Sequence, residues 1–187
     1  MQNKPLVINI YGGPGTGKST SALGLTYKLK LRHINAEYLS EYAKSLTHND
    51  RLKTLKNQSY VTVKQLDKQY ALMDKYEVVV TDTSILLGLI PEYAGFGNTP
   101  SFESWILECY NLFDNLNIYL ERNLNIPYQE TGRSQKKDAS LMIDNQVKTL
   151  LDRLKLDYTT VCIDGERTVD LIESIVHKKL ISRGCSF

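Results

Sequence analysis

The stretch Pro5-Leu6-Val7-Ile8-Asn9-Ile10-Tyr11-Gly12-Gly13-Pro14-Gly15-Thr16-Gly17-Lys18-Ser19-Thr20 decides how this chain folds. Pro5 to Tyr11 is a short apolar run bounded by Pro and Gly and reads as a buried strand. Gly12 to Ser19 then has the spacing G-x-x-x-x-G-K-S. Glycines at these places let consecutive backbone N–H groups wrap an anion. The helix that starts near Gly17 adds its positive end to the same point. Such a loop cradles a phosphate chain. Gly13, Pro14, Gly15, Thr16, Gly17, Lys18, Ser19 and Thr20 form the cradle, with Lys18 directed to the β- and γ-phosphates and the Ser19 hydroxyl to Mg²⁺. The expected ligands are therefore ATP and Mg²⁺. The alternative is a plain glycine turn between strand and helix, but the full spacing seldom arises by chance in a chain of this length, and the strand before it and helix after it make chance rarer still.

Outward from this loop, strand and helix patterns alternate. Lys18 to Leu31 reads as a helix, Ile34 to Leu39 as a second strand, and Ser40 opens a polar helical stretch. Val61 to Tyr76 has a helical pattern, and Val78-Val79-Val80 before Thr81-Asp82-Thr83 is a strand of β-branched residues. Gly95, Gly97, Asn98 and Pro100 mark a loop. Then come a helix over Phe102 to Phe113, a strand over Leu116 to Leu120, and a polar loop or lid from Asn123 to Asp138. A helix over Ala139 to Leu154, a strand over Tyr158 to Ile163 and a helix over Val169 to Leu180 complete the pattern, with fraying expected from Arg183. This alternation predicts an α/β fold: five parallel strands, helices on both faces, and a helical insertion from Ser40 to Tyr76 after strand two. The chain of 187 residues fits one domain, 1–187.

Composition excludes several classes. A hydrophobic share of 42% with 24% charged residues is that of an ordinary globular chain, and a formal charge of +2 does not by itself indicate nucleic acid or membrane. Cys109, Cys162 and Cys185 are scattered and odd in number, which suits a reducing cytoplasm rather than a disulfide framework. His33, His48 and His177 are equally dispersed, so a protein-held transition metal is not expected. No run approaches a membrane span.

Asp82 ends the third strand, where an acid can hold hydrated Mg²⁺, although a helix-capping role fits the same position. Thr83 rather than Glu follows it, and neither D-x-x-G nor N-K-x-D is present, so a motor-type ATPase and a GTPase switch are both poorly supported. Arg122 after strand four and Arg133 beside Gly132 in the lid are candidate phosphate clamps; the alternative is solvated surface. Lys136 and Lys137 read as ordinary surface charges. Glu37 and Glu41 lie at the end of strand two, and Glu41 is the preferred acceptor of a hydroxyl proton, with Asp82 its rival. Tyr42, Tyr93 and Tyr128 are candidates to stack on a flat acceptor, although core or surface packing accounts for most aromatics.

With these pieces in order, the chain resembles the P-loop nucleoside and nucleotide kinase superfamily, and within it the ribosylnicotinamide-kinase-like ATPase group, which has many phage members. The resemblance rests on Gly12 to Thr20, Glu41-Tyr42-Ala43-Lys44, Thr81-Asp82-Thr83, Tyr119-Leu120-Glu121-Arg122, Tyr128 with Gly132-Arg133, and Ile143-Asp144. It implies a P-loop NTPase fold with an arginine lid and an ATP- and Mg²⁺-dependent kinase that phosphorylates a hydroxyl of a nucleoside, nucleotide or related small molecule. It places Lys18, Asp82, Glu41, Arg133 and Arg122 in catalysis, Ser19 and Asp82 on the metal, and the protein in the cytoplasm, that of the host if viral. Kinases in this group are often fused to an adenylyltransferase domain, and no such segment is present in these residues. A kinase acting on DNA, at 5-hydroxymethyluracil or a 5′-hydroxyl, is an alternative. For it, Lys44, Arg51, Lys53, Lys56, Lys64 and Lys68 outnumber Asp50 and Asp67 in the insertion, although such an excess also fits a solvated helical face. An AAA-type NTPase without a small-molecule acceptor is a further alternative.

Overall fold

The structure is a computed structural model that describes residues 5–90, 99–126 and 137–185. Five strands, β1 (Leu6–Tyr11), β2 (Ala36–Leu39), β3 (Val78–Thr81), β4 (Asp114–Glu121) and β5 (Tyr158–Cys162), form one sheet in the order β2-β3-β1-β4-β5. Every pairing is parallel, with Asn9 opposite Thr81 on one side of β1 and opposite Asn117 on the other. The cradle strand is thus central, and its carboxyl end lies between those of β3 and β4. This is the expected five-stranded α/β sheet of the P-loop NTPase fold.

Seven α-helices accompany the strands among the described residues: α1 (Lys18–Leu31), α2 (Tyr42–His48), α3 (Leu52–Leu55), α4 (Gln58–Met73), α5 (Pro100–Tyr110), α6 (Lys137–Arg153) and α7 (Glu166–Ser182). Alternate residues of β1 supply the two faces. Leu6, Ile8 and Ile10 pack with Leu25 and Leu29 of α1 and with Ile172 and Val176 of α7. Val7 and Tyr11 pack with Leu66 of α4, Ile106 of α5, and Val147 and Leu151 of α6. Both faces of β1 are fully covered, which accounts for its nearly continuous apolar run.

Several helices begin earlier than the apolar pattern indicates, because their first turns are polar and, in α4 and α5, carry side-chain caps. The Asn57 side chain accepts from the Tyr60 N–H and starts α4 at Gln58, ahead of the expected Val61. Thr99 accepts from the Phe102 N–H, and Pro100 occupies the first position of α5, so the helix starts before Phe102. α7 begins at Glu166, three positions before Val169, after Gly165 and without a side-chain cap. The expected helical insertion comprises α2, α3 and α4. After β3 the chain makes a fully buried 3₁₀ turn, Ile85–Leu89, which the apolar pattern alone does not distinguish from a helix.

Candidate functional site

The loop after β1 has the backbone its glycines permit. Gly15 and Gly17 have φ of 82° and 79°, values that L side chains rarely adopt. Gly17 caps α1 without a side-chain bond, and no acidic residue lies in the first turn, so the helix start remains electropositive. Thr16 Oγ1 donates to the Gly13 carbonyl at 2.9 Å, tying the loop to itself. Lys18 Nζ donates to the same carbonyl at 2.9 Å. Burial lowers the pKa of Lys18, opposed by the charges of Glu41 and Asp82.

β3 delivers Asp82 beside this loop, as the register of Thr81 with Asn9 requires. Its side chain is 1% exposed. Asp82 Oδ2 accepts hydrogen bonds from Ser19 Oγ and, at 2.9 Å, from Lys44 Nζ, whereas Asp82 Oδ1 is buried with no hydrogen-bond partner. Burial pushes the carboxyl pKa up, but the hydrogen bonds from Ser19 and Lys44, the Lys44 charge and the Tyr38 hydroxyl outweigh it and hold it below its ordinary value. A buried carboxylate oxygen without a partner, next to a serine hydroxyl at a phosphate cradle, fits a hard, oxygen-seeking ion such as Mg²⁺.

Glu41 precedes α2 and faces the same space, with its side chain 30% exposed. Burial raises its pKa, opposed by Lys18 and Lys44. Behind it opens a cavity of about 570 Å³, continuous with the cradle, within the usual range for small-molecule sites. Gln58, Thr62 and Gln65 of α4 and Ile85, Leu87 and Gly88 of the 3₁₀ turn line it. The α4 residues share a helix face because they are spaced four and three apart. Glu37, by contrast, pairs with Lys30 at 2.9 Å, and the cavity is lined without it. Tyr42 makes an edge-on contact with Tyr60, at 6.1 Å between ring centroids.

Arg122 and Asp144 form the other side of the loop. Arg122 Nε and Asp144 Oδ2 are 2.6 Å apart, with side chains 11% and 9% exposed. Asp144 Oδ1 accepts from the Gly13 N–H at 2.6 Å, and Arg122 Nη2 donates to the Pro14 carbonyl at 2.7 Å. These contacts make Arg122 an anchor of the loop backbone. Asp144 was visible in the sequence only as part of the family resemblance; an acid on a helix remote from the loop carries no local signal of its contact with Gly13.

Of the six cations in the insertion, Lys44 contacts Asp82, Lys64 pairs with Asp67 at 3.4 Å, and Lys68 donates to the Ser40 carbonyl at 3.0 Å. Tyr93, Tyr128, Gly132, Arg133 and Lys136 lie outside the described residues. No helix among the described residues is long and apolar enough to cross a membrane.

A family described as an AAA domain matches residues 7–167. Among solved structures, the chain is similar to deoxyadenosine kinase from M. mycoides with bound dATP, at a TM-score of 0.58 and 17% identity, over 91% of this chain and 99% of that one. The same enzyme with the products dCMP and a flexible dCDP bound aligns at a TM-score of 0.53 and 17% identity, over 94% and 98% of the two chains. No curated protein matches the sequence. The structural likeness extends over nearly the whole length of each chain and concerns the fold.

Proposed function

We propose that this chain, which belongs to the AAA-domain family, is an ATP- and Mg²⁺-dependent kinase that phosphorylates a hydroxyl of a nucleoside-like small molecule. The observation that carries this reading is the cavity of about 570 Å³ that runs from the cradle past Glu41 to the wall formed by α4 and the 3₁₀ turn. An enzyme that only hydrolyses ATP needs room for a water beside the γ-phosphate, not for a second organic molecule. Apart from Lys18, Glu41 and Lys44 beside the cradle, the described lining carries no Lys, Arg, Asp or Glu, which favours an uncharged acceptor over a nucleoside monophosphate.

In this reading Lys18 leaves the Gly13 carbonyl for the β- and γ-phosphates, and the N–H groups of the loop hold the phosphate chain. Ser19 and Asp82 would hold Mg²⁺, which supplies charge neutralisation on the phosphates. Glu41 accepts the proton of the acceptor hydroxyl as its oxygen bonds to the γ-phosphorus. The bond from that phosphorus to the β–γ bridging oxygen breaks, and ADP leaves with the electron pair. Arg122 and Asp144 keep the loop in shape, and Arg133 would close over the transferring group.

The test is a screen for transfer of radiolabelled γ-phosphate to nucleosides, nucleoside monophosphates, nicotinamide riboside, and plain or hydroxymethylated DNA. A labelled nucleoside monophosphate, formed from the unphosphorylated nucleoside, is the expected product. The family description favours one second reading, an AAA-type NTPase. ATP hydrolysis at full rate without any acceptor, and no labelled acceptor, would establish it in place of the kinase.

A further inference from the structure

Lys44 lies in the first turn of α2. Its Nζ donates to Asp82 Oδ2 at 2.9 Å and to Ser19 Oγ, and it lies 3.9 Å from Glu41 Oε2. Its side chain is 45% exposed, whereas that of Asp82 is 1% exposed. One ammonium therefore lies on the same two oxygens that suit a divalent ion. Lys18 donates to the Gly13 carbonyl instead, and Lys68 to Ser40.

The two cations exclude one another. Magnesium binds oxygen at about 2.1 Å and demands a nearly octahedral shell. An ammonium in hydrogen-bond contact with both oxygens occupies part of that shell and repels the incoming charge. Asp82 nevertheless needs a positive partner, because a buried, uncompensated carboxylate is costly. Lys44 suits temporary service: its four-carbon stem is flexible and half-exposed, and Glu41 on the same helix end offers the ammonium a second carboxylate.

We propose that Lys44 is an exchangeable counter-ion of the metal site: its ammonium and the divalent ion alternate on Ser19 and Asp82, and metal binding sends Lys44 to Glu41. This rests on the assignment of Ser19 and Asp82 to Mg²⁺, and not on the identity of the acceptor. The exchange involves no bond cleavage; one cation replaces another on the same oxygens. It also couples the metal to the proposed base, since the cation that the metal releases becomes the partner of Glu41.

The consequence is a gain of affinity on removal of a side chain, which a purely structural lysine would not produce. Mn²⁺ is titrated into the full chain without nucleotide, and free Mn²⁺ is followed by electron paramagnetic resonance. Lys44→Met is expected to bind Mn²⁺ at least about tenfold more tightly than the unsubstituted chain, and Lys44→Gln to do the same should Lys44→Met fold poorly. Lys68→Met, which deletes an equal charge not in contact with Asp82, is expected to change the affinity by no more than about twofold. Asp82→Asn added to Lys44→Met should abolish the gain. Unchanged Mn²⁺ affinity in the folded Lys44 variants overturns the proposal, as does an equal gain in Lys68→Met. Because no phosphoryl transfer is measured, a gain in Lys44→Met together with a negative acceptor screen would retain the exchange and remove only the kinase.

Discussion

In the proposed kinase, Lys18 supplies a point charge for phosphate and Glu41 a carboxyl whose pKa is raised by burial. Lys18→Ala removes the cation that would meet the β- and γ-phosphates. ATP turnover is expected to fall by orders of magnitude with the circular dichroism spectrum unchanged. Retained turnover would remove the cradle from the mechanism. Glu41 has a different signature. Burial raises its pKa, so it loses the proton only at a pH above the ordinary value of about 4.3. A base must be ionised to accept a proton, so transfer should decline as pH falls through that raised value. The acid limb of kcat/KM, which reports the free enzyme, should therefore lie above the usual carboxylate range, and that of kcat should lie lower once the metal sends Lys44 to Glu41. Glu41→Gln should lower kcat by roughly 10²–10⁴-fold and abolish that limb while ATP affinity stays nearly unchanged. An identical pH profile in Glu41→Gln would transfer the proton to another group, Asp82 first.

At the scale of elements, the loop after β1 depends on α6 as much as on its own glycines. A Cβ on Gly13 would collide with Asp144 Oδ1 and come within 2.7 Å of the Ser140 carbonyl oxygen. Both obstacles are held by a helix, so the loop must yield. Gly13→Ala is therefore expected to weaken ATP binding at least about tenfold, a loss of about 1.4 kcal/mol, as measured by calorimetric titration. Undiminished affinity would mean that the contact between Asp144 and the loop is dispensable. The position of α1 has a separate origin. Leu25 is fully buried between the sheet and α7. Leu25→Ala leaves a cavity there and should cost about 2–5 kcal/mol in urea unfolding, against the near-zero cost expected of the exposed Leu23.

Across the whole molecule, the site gathers elements from both halves of the sheet. Ser19 belongs to α1, Asp82 follows β3, Glu41 and Lys44 belong to the insertion, and Arg122 and Asp144 come from the chain after β4. A ligand that bridges them stabilises the fold as a unit. MgATP at a hundred times its Kd should add about 2.7 kcal/mol. For a chain of 187 residues that corresponds to a rise in Tm of about 5–11 °C. The rise should vanish in Lys18→Ala, and a differential scanning calorimetry trace without any shift in the unsubstituted chain would contradict nucleotide binding.

The sequence by itself determined the features that are local. The glycine spacing requires a loop with positive φ, the run Leu6 to Tyr11 requires a strand buried on both faces, and the three valines Val78 to Val80 require a strand, which an acid follows at Asp82. Each depends on a few consecutive residues whose backbone preferences and burial act together. Helix starts were less legible, because a polar first turn such as Gln58-Ser59-Tyr60 carries no apolar period and is set by the Asn57 cap. Only the tertiary structure decided which strands flank β1, since parallel neighbours are joined by crossovers whose order no single segment encodes. It also decided which charges meet. Lys44 is one lysine in a basic run until the β2–β3 pairing and α2 bring it to Asp82, and Asp144 reaches Gly13 across 131 positions of chain. Charge contacts act through space over a few ångströms, so their partners are defined only after the sheet has closed.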